Sequence, residues 1–289
     1  MGCCDLHFRR GGAADDESRW GVEVPPGIDP TKAHPSRRYN YWLGGKDNFA
    51  VDRESAETVA SAFPTVRLSA RENRAFLKRV VTFLAGEAGV HQFLDIGTGL
   101  PSAGNVHEVA QAIEPTSRIV YVDNDPVVLV HARALLTSDP AGRTAYIEAD
   151  LRDPEKILAD TDLASTLDLS RPVALMLVAT MHFVTDEHDP YGIVRRLLSA
   201  LPSGSHLVMT HATNDHLTPE QYAENVEANE RSGVPFRLRS TEEFTRFFDG
   251  LDLLPPGITS VVDWRPEIPA EERPSVEDVS MLCAVARVP

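Results

Sequence analysis

Short apolar runs alternate with helix-length amphipathic stretches over most of the chain after residue 91. These runs predict buried strands, and they cover residues 93–96, 119–122, 145–147, 173–178 and 206–209. The runs are continuous rather than alternating, which is typical of parallel strands buried on both faces by helices. The pattern therefore predicts repeated strand–helix–strand units and a doubly wound, mostly parallel sheet of the α/β class.

Helix starts between the strands are marked by side chains that can cap free backbone amides. Such a side chain precedes a proline at three places: Asp125, Asp153 and Thr218. The segment 214–250 is longer than a simple crossover and holds two helix candidates, the second opened by Ser240 in capping-box spacing. We expect a helical insertion there. Apolar runs at 258–264 and 279–288 predict a terminal strand pair that completes the sheet.

The N-terminal part of the chain has a different pattern of apolar and polar residues from this core. Residues 1–30 combine glycines, acidic side chains and prolines with few apolar positions, which predicts a flexible tail. Residues 31–90 show helical periodicity in pieces, with apolar side chains at helical spacing within 71–84. We therefore expect a helical segment over 31–90 that packs on a main domain over 91–289.

Charge and composition narrow the possible partners. The chain carries 43 acidic and 28 basic residues, a formal net charge of −15, so we expect no nucleic-acid partner and favour a small or cationic ligand. No apolar run approaches the roughly 18 residues of a membrane span, which predicts a cytoplasmic protein without a membrane partner. The three cysteines suggest neither a disulfide framework nor a metal site. Oligomeric state stays open.

The strongest chemical signal is a glycine-rich turn after the first predicted strand, in the run Asp95-Ile-Gly97-Thr98-Gly99. The two glycines permit a tight turn in which backbone approaches a ligand, and the following helix start presents free amides. Asp95 can orient the loop or neutralise a cationic ligand. Taken alone, the turn is equally compatible with a connection that binds nothing.

The next two strand ends add groups suited to adenosine. Asp123, followed by Asn124, can accept both hydroxyls of a ribose. After the third strand, the carboxylate of Asp150 can accept from an adenine amino group while the Leu151 amide donates to the ring. A nicotinamide dinucleotide is the alternative, but its binding loop typically has a third glycine where this chain has Ser102.

With these positions, the chain resembles the class I methyltransferases that depend on S-adenosylmethionine. The matching positions are Asp95, Gly97 and Gly99 in the loop, Asp123 as the ribose acid, and Asp150 with Leu151 at the adenine. The resemblance implies a Rossmann-like, seven-stranded sheet with an antiparallel last strand, and S-adenosyl-L-methionine as cofactor. Pro101 departs from the class, which often has a third glycine there.

A closer resemblance, to actinobacterial methyltransferase-like proteins of the DUF574 type, is carried by the signature at 38–49. That signature reads Arg38-Tyr39-Asn40-Tyr41-Trp42-Leu43-Gly44-Gly45-Lys46-Asp47-Asn48-Phe49. Its aromatic side chains can staple the N-terminal helices onto the domain. Alternatively, the segment forms a lid that includes Tyr41, in which Tyr39 or Trp42 lies beside the cationic sulfonium and residues 46–48, with Asn48, lie near the acceptor.

Two histidines follow strand ends and are candidate bases. His182 comes after the fourth strand, three residues beyond the expected cofactor contact Ala179, and His211 ends the fifth. Each could take a proton from an acceptor near neutral pH, or could instead cap its strand. Methyl transfer often needs only alignment, because the sulfonium is already activated. Spacing among the histidines and their acidic neighbours gives no convincing ligand geometry, so we expect no metal.

The sequence thus predicts a methyltransferase that uses S-adenosyl-L-methionine and acts on a small-molecule acceptor, with secondary metabolism as one setting. Two alternatives stay open. One is a regulatory or scaffold protein that binds the cofactor without transfer activity. The other is an enzyme of the same fold with non-methylating chemistry.

Overall fold

The computed structural model describes residues 28–135 and 138–289, so all but the end of the expected tail 1–30 lies outside the described residues. The helices are α1 (Pro35–Trp42), α2 (Ala50–Ala62), α3 (Val66–Gly86), α4 (Val106–Ile113), α5 (Pro126–Leu135), α6 (Pro154–Leu158), α7 (Thr161–Thr166), α8 (Pro190–Leu198), α9 (Pro219–Arg231), α10 (Thr241–Thr245) and α11 (Val276–Val279). The strands are β1 (Gln92–Ile96), β2 (Arg118–Asp123), β3 (Arg143–Glu148), β4 (Ala174–Val178), β5 (His206–Ala212), β6 (Asp252–Leu253), β7 (Thr259–Ser260) and β8 (Met281–Arg287).

A single mixed sheet forms the centre of the described chain, in the order β3-β2-β1-β4-β5-β8-β6. The strands β1 to β5 run parallel, and β8 runs antiparallel to β5. This confirms the predicted mostly parallel sheet with an antiparallel last strand. Because β1 lies between β2 and β4, the strand order reverses beside it and leaves a crevice at the carboxyl ends of these strands.

The described sheet has eight strands rather than the expected seven, because the two-residue strand β6 (Asp252–Leu253), which no apolar run predicted, also pairs with β8. Of the run 258–264, only Thr259–Ser260 pairs with β8. Beyond it, Arg79 of α3 donates from Nη2 to the Val261 carbonyl (2.6 Å) and from Nε to the Trp264 carbonyl (3.1 Å). The expected long strand therefore ends early, since a side chain satisfies carbonyls that a neighbouring strand would otherwise bind.

Helix α3 belongs to the core rather than to an outer layer. Its apolar side chains Phe76, Val80, Val81 and Leu84 are fully buried. The Phe76 ring also meets Trp264 edge to face, with centroids 5.4 Å apart. The helix expected within 71–84 is confirmed and is longer than the pattern indicated.

The segment 214–250 contains the two predicted helices α9 and α10. Both begin with capping boxes, Thr218 with Gln221 and Ser240 with Glu243. Helix α9 packs on α2, and its C-cap Ser232 accepts from the Arg38 guanidinium of α1 (2.9 Å). The insertion therefore covers the N-terminal helices, and the bounds of the expected domains stay a prediction. None of the helices described is long and apolar enough to cross a membrane.

Candidate functional site

A cavity of about 330 Å³ lies at the carboxyl ends of the central strands, where the strand order reverses. Nine residues predicted to bind a cofactor all line it: Asp95, Gly97, Thr98, Gly99, Asp123, Asn124, Asp150, Leu151 and Ala179. Helix α1 and the residues before it contribute His34, Ser36 and Tyr39, and α3 contributes Asn73 and Arg74. The sequence therefore predicts the lining residues at the strand ends, whereas most of those contributed by the helices were not predicted.

The turn after β1 depends on its two glycines. Gly97 and Gly99 have φ angles of 74° and 69°, in the left-handed region. A Cβ on Gly97 would overlap Cγ2 of Thr180, which follows β4. The Gly97 amide donates to the Val122 carbonyl (2.7 Å). The chain after β1 therefore turns sharply between β2 and β4, and its backbone faces the cavity.

Asp123 fixes this turn to the end of β2. Its Oδ2 accepts from the Gly99 amide (2.8 Å), and its Oδ1 accepts from the Asp125 amide (2.9 Å). Burial raises the pKa of Asp123, and these backbone hydrogen bonds oppose the shift. Each carboxylate oxygen has a second lone pair, so the group can also accept from the hydroxyls of a ribose.

Asp95 is a buried carboxyl group without an ion-pair partner in the described part of the chain. Burial raises its pKa to about 7, while the Thr98 hydroxyl and the charge of Arg74 act in the opposite direction. A group with this pKa is partly protonated at neutral pH. A cationic ligand placed beside it would favour the ionised form.

Two residues after the end of β3 face the cavity: the Asp150 carboxylate, which already accepts four hydrogen bonds, and the Leu151 amide, which is free. Asp150 Oδ1 accepts from the amide and Nε of Arg152, and Oδ2 accepts from Arg152 Nη2 and from Asn124 Nδ2. Although burial acts to raise it, these bonds lower the pKa of Asp150 to about 2. An adenine amino group would replace one of these donors. The Leu151 amide has no partner among residues 28–135 and 138–289 and is free to donate.

The start of α1 is held against the end of β2. The Ser36 hydroxyl donates to Asp125 Oδ2 (3.1 Å), Arg37 Nε lies 3.2 Å from the same oxygen, and His34 Nε2 lies 3.2 Å from Asn124 Oδ1. These contacts place α1 over one side of the large cavity. No local motif signals them, because the partners lie about ninety residues apart in the sequence.

A second, smaller cavity of about 70 Å³ adjoins the first. The two share the lining residues Tyr39, Ala179 and Phe183. Apolar side chains from α1, the end of α2 and the insertion contribute to its wall: Trp42, Val59, Phe63, Leu217, Phe236 and Leu238. Its polar lining includes Arg38, His182, Asn225 and Asn229. A ligand in the small cavity would therefore lie next to one in the large cavity.

A chain of hydrogen bonds supports the junction between the cavities. The Ala179 amide donates to Thr210 Oγ1 (2.8 Å), which donates to Asn73 Oδ1 (2.7 Å). Asn73 Nδ2 donates to the Tyr39 hydroxyl (2.9 Å), which donates to the Ala70 carbonyl (3.0 Å). Ala179 itself has φ = 57°. We call these four bonds the junction chain, and they link α1, α3, β4 and β5 at one point.

The two candidate bases differ in position. His211 is fully buried and lines neither cavity. Its Nδ1 lies 2.7 Å from the Ala212 carbonyl and its Nε2 lies 2.9 Å from Arg239 Nη1, so Nδ1 donates and Nε2 accepts. Burial, together with the charge of Arg239, lowers its pKa to about 3. Both nitrogens are occupied, which argues against the expected role of His211 as a base.

His182 lines the small cavity and is almost fully buried. Burial lowers its pKa well below the usual value, and His211, Arg38 and Arg239 add to the shift. Its Nδ1 accepts from the Ala212 amide (3.5 Å), which leaves Nε2 as the protonated nitrogen. The imidazole is neutral and is arranged to donate a hydrogen bond rather than to take a proton.

The expected lid residues are divided between the cavity and the surface. Tyr39 and Trp42 line the small cavity, whereas Tyr41 and Asn48 line neither cavity. The Tyr41 hydroxyl donates to Glu57 (2.6 Å), and Asn48 Nδ2 donates to the Gly45 carbonyl (3.1 Å). These two side chains brace the α1–α2 connection. The described residues contain no group of three or more His, Cys, Asp or Glu side chains that could hold a metal ion.

Known proteins resemble this chain in both sequence and structure. The profile of a family described as S-adenosyl methyltransferase matches residues 22–289. A DUF574 family protein from Streptomyces avermitilis is 47% identical and superposes with a TM-score of 0.86, covering 90% of this chain and 99% of its own. A candidate methyltransferase from Thermobifida fusca is 40% identical, with a TM-score of 0.84 and coverages of 92% and 99%. No curated protein matches the chain.

Proposed function

We propose that this chain, which belongs to the S-adenosyl methyltransferase family, transfers a methyl group from S-adenosyl-L-methionine to a small-molecule acceptor. The observation that carries the proposal is the pair of adjoining cavities. The larger is lined by groups suited to adenosine and a cationic ligand, and the smaller is mostly apolar. Because they meet at Tyr39, Ala179 and Phe183, a donor and an acceptor would lie side by side.

The residues of the large cavity fit the cofactor group by group. Asp123 would accept hydrogen bonds from the ribose hydroxyls, because its oxygens keep free lone pairs. The unpartnered Leu151 amide would donate to the adenine ring. Asp95, buried without a counter-ion, would face the cationic methionine part above the Gly97–Gly99 turn. When bound, S-adenosyl-L-methionine supplies a methyl group that its sulfonium already activates.

The side chains at the junction would act by position rather than by strong acid–base chemistry. Tyr39 is held by the junction chain, and its ring and that of Phe183 line both cavities. Aromatic faces favour a cationic sulfonium. His182 would donate from Nε2 to the acceptor and orient it. We propose no catalytic role for His211, since both of its nitrogens are occupied.

The acceptor is expected to be small because the second cavity measures about 70 Å³ and is bounded by helices α1 and α2 and the insertion. A polymeric substrate would need an open groove beside the sulfonium. The net charge of −15 also disfavours nucleic acid.

Calorimetric titration of the whole chain with S-adenosylmethionine, S-adenosylhomocysteine and NAD tests the proposal. We expect micromolar binding of the first two and none of NAD. Asp123→Ala should weaken the binding by about 1–3 kcal/mol, because it removes the ribose contacts and loosens the Gly99 turn. Asp252→Ala, which removes an exposed carboxylate on β6, is the matched control and should bind normally.

The outcomes separate the proposed function from its alternatives. Absence of binding to S-adenosylmethionine and S-adenosylhomocysteine would contradict the proposal. Tight binding of NAD would favour a dehydrogenase. Cofactor binding without methyl transfer to any small-molecule acceptor would favour the regulatory or scaffold alternative, and turnover that leaves the cofactor unconsumed would favour non-methylating chemistry.

A further inference from the structure

Arg38 is a buried cation with few partners. It is 1% exposed, and its Nη1 donates to the hydroxyls of Ser232 (2.9 Å) and Ser55 (3.4 Å). Its Nε has no hydrogen-bond partner, and within the described chain no carboxylate lies within ion-pair distance of the guanidinium. Burial lowers its pKa to about 10, so the group is still charged at neutral pH. Buried charges are normally paired, and this one is not paired with any of the described residues.

The surroundings of Arg38 do not neutralise it. The acid whose charge acts on it, Asp52, is already paired with Arg37 (3.6 Å) and accepts from the amides of His34 and Phe49. His182, across the small cavity, is neutral and presents a protonated Nε2. The small cavity therefore has a net positive charge, in contrast to the acidic chain as a whole.

The shape and flanking groups of the cavity define what could pair with this charge. Aromatic rings hold the guanidinium on two sides, with its carbon 5.5 Å from the Trp42 ring centre and 5.9 Å from that of Phe183. Both rings line the cavity. A guanidinium with fixed, unused donors matches a planar carboxylate. Asn229 Oδ1 is buried in the same wall and has no partner in the described part of the chain, so it can accept from a hydroxyl or amine of the same ligand.

We propose that the small cavity binds a carboxylate-bearing acceptor, with the carboxylate paired to Arg38 and its apolar body between Trp42 and Phe236. The proposal rests on the proposed function and names the substrate class for the same site. Of the small or cationic ligand that the overall charge favoured, it keeps the small size and replaces the positive charge by a negative one.

The size of the cavity decides which probe to use first. Its volume of about 70 Å³ is well below the roughly 150 Å³ of an engineered apolar cavity that binds benzene. A carboxylate with a short branched chain matches this volume better than an aromatic acid, which is larger than benzene. We therefore choose isobutyrate, its uncharged analogue isobutyramide and the cation isobutylammonium.

The experiment follows binding of these three probes to the full chain saturated with S-adenosylhomocysteine. The readout is the indole N–H resonance of Trp42, because Trp42 lines the cavity, and that of the fully buried Trp264 serves as an internal control. We expect isobutyrate to shift the Trp42 resonance and to bind at least about tenfold more tightly than isobutyramide, with no binding of isobutylammonium. The Trp264 resonance should not move.

Arg38→Met keeps most of the side-chain volume and removes the charge, so it should abolish the preference for isobutyrate. Arg67→Met, at an exposed arginine of α3 paired with Glu57, makes the same change outside the cavity and should keep it. If Arg38→Met does not fold, the relative affinities of the unaltered protein for the three probes still test the proposal. Equal binding of acid and amide, tighter binding of the ammonium, or a carboxylate effect that survives in folded Arg38→Met would overturn the proposal.

Titration with S-adenosylhomocysteine, made first, separates this inference from the proposed function. Failure of that binding would overturn the methyltransferase proposal and this inference with it. Normal cofactor binding without a preference for the carboxylate would overturn the assignment of the acceptor class alone.

Discussion

The buried carboxyl group of Asp95 should make cofactor binding depend on pH. Its pKa of about 7 reflects burial without a counter-ion among residues 28–135 and 138–289, and the ammonium and sulfonium of S-adenosylmethionine would supply positive charge beside it. Binding should therefore favour the ionised carboxylate and lower its pKa. Since the free protein must lose this proton to bind, affinity should rise with pH up to about 7 and then level off.

The size of the effect follows from the ionised fraction. With a pKa of about 7, about a tenth of the Asp95 groups are ionised at pH 6 and about three quarters at pH 7.5. If the ionised form alone binds tightly, affinity should be about eightfold higher at the upper pH, or about 1.3 kcal/mol. At pH 6, binding should release about 0.9 proton.

Calorimetry in buffers of different ionisation enthalpy measures both the affinity and the released proton. Asp95→Asn is the matched control, because it keeps the shape of the side chain and removes the titration. Its affinity should be lower, and the pH-dependent step should be absent. The ammonium of the ligand titrates equally with both proteins and cancels in the comparison. An affinity that changes equally with pH in both proteins, or no proton release at pH 6, would refute the reasoning.

Two further predictions concern the backbone around the site. Gly97→Ala should abolish cofactor binding and destabilise the fold by about 1–3 kcal/mol in denaturant unfolding, because its Cβ would meet Thr180. Gly250 has a φ of 82° and no atom within contact distance of an added Cβ, so Gly250→Ala should show the cost of backbone strain alone. Equal losses of stability in the two variants would contradict the clash with Thr180. Ala179→Gly should leave the free energy of unfolding unchanged or raise it by up to about 1 kcal/mol, because glycine adopts a φ of 57° without strain. A clear loss of stability would argue against backbone strain at this position.

Much of the fold was predictable because its signals are local. The five parallel strands follow from continuous apolar runs, and α9 and α10 follow from capping boxes only four residues long. The strand-end residues of the large cavity were predictable for a related reason, since parallel strands bring their carboxyl ends to one edge of the sheet.

The rest depends on contacts that no local pattern encodes. The side chains before and within α1 meet the end of β2 across about ninety residues, and the Arg38 guanidinium meets Ser232 across 194. The charge of the small cavity was not predictable for a similar reason, because the net charge averages over the whole surface. A single buried arginine sets the local charge, and only packing shows where it lies.

The junction chain has an evolutionary consequence, because its hydrogen bonds all point in one direction. Each donor from the Ala179 amide to the Tyr39 hydroxyl is already in use, and position 73 must both accept from Thr210 and donate to Tyr39. An aspartate there would accept but could not donate, and leucine could do neither. Substitutions at 39, 73 and 210 should therefore occur together among related sequences, as a covarying triplet drawn from three distant segments.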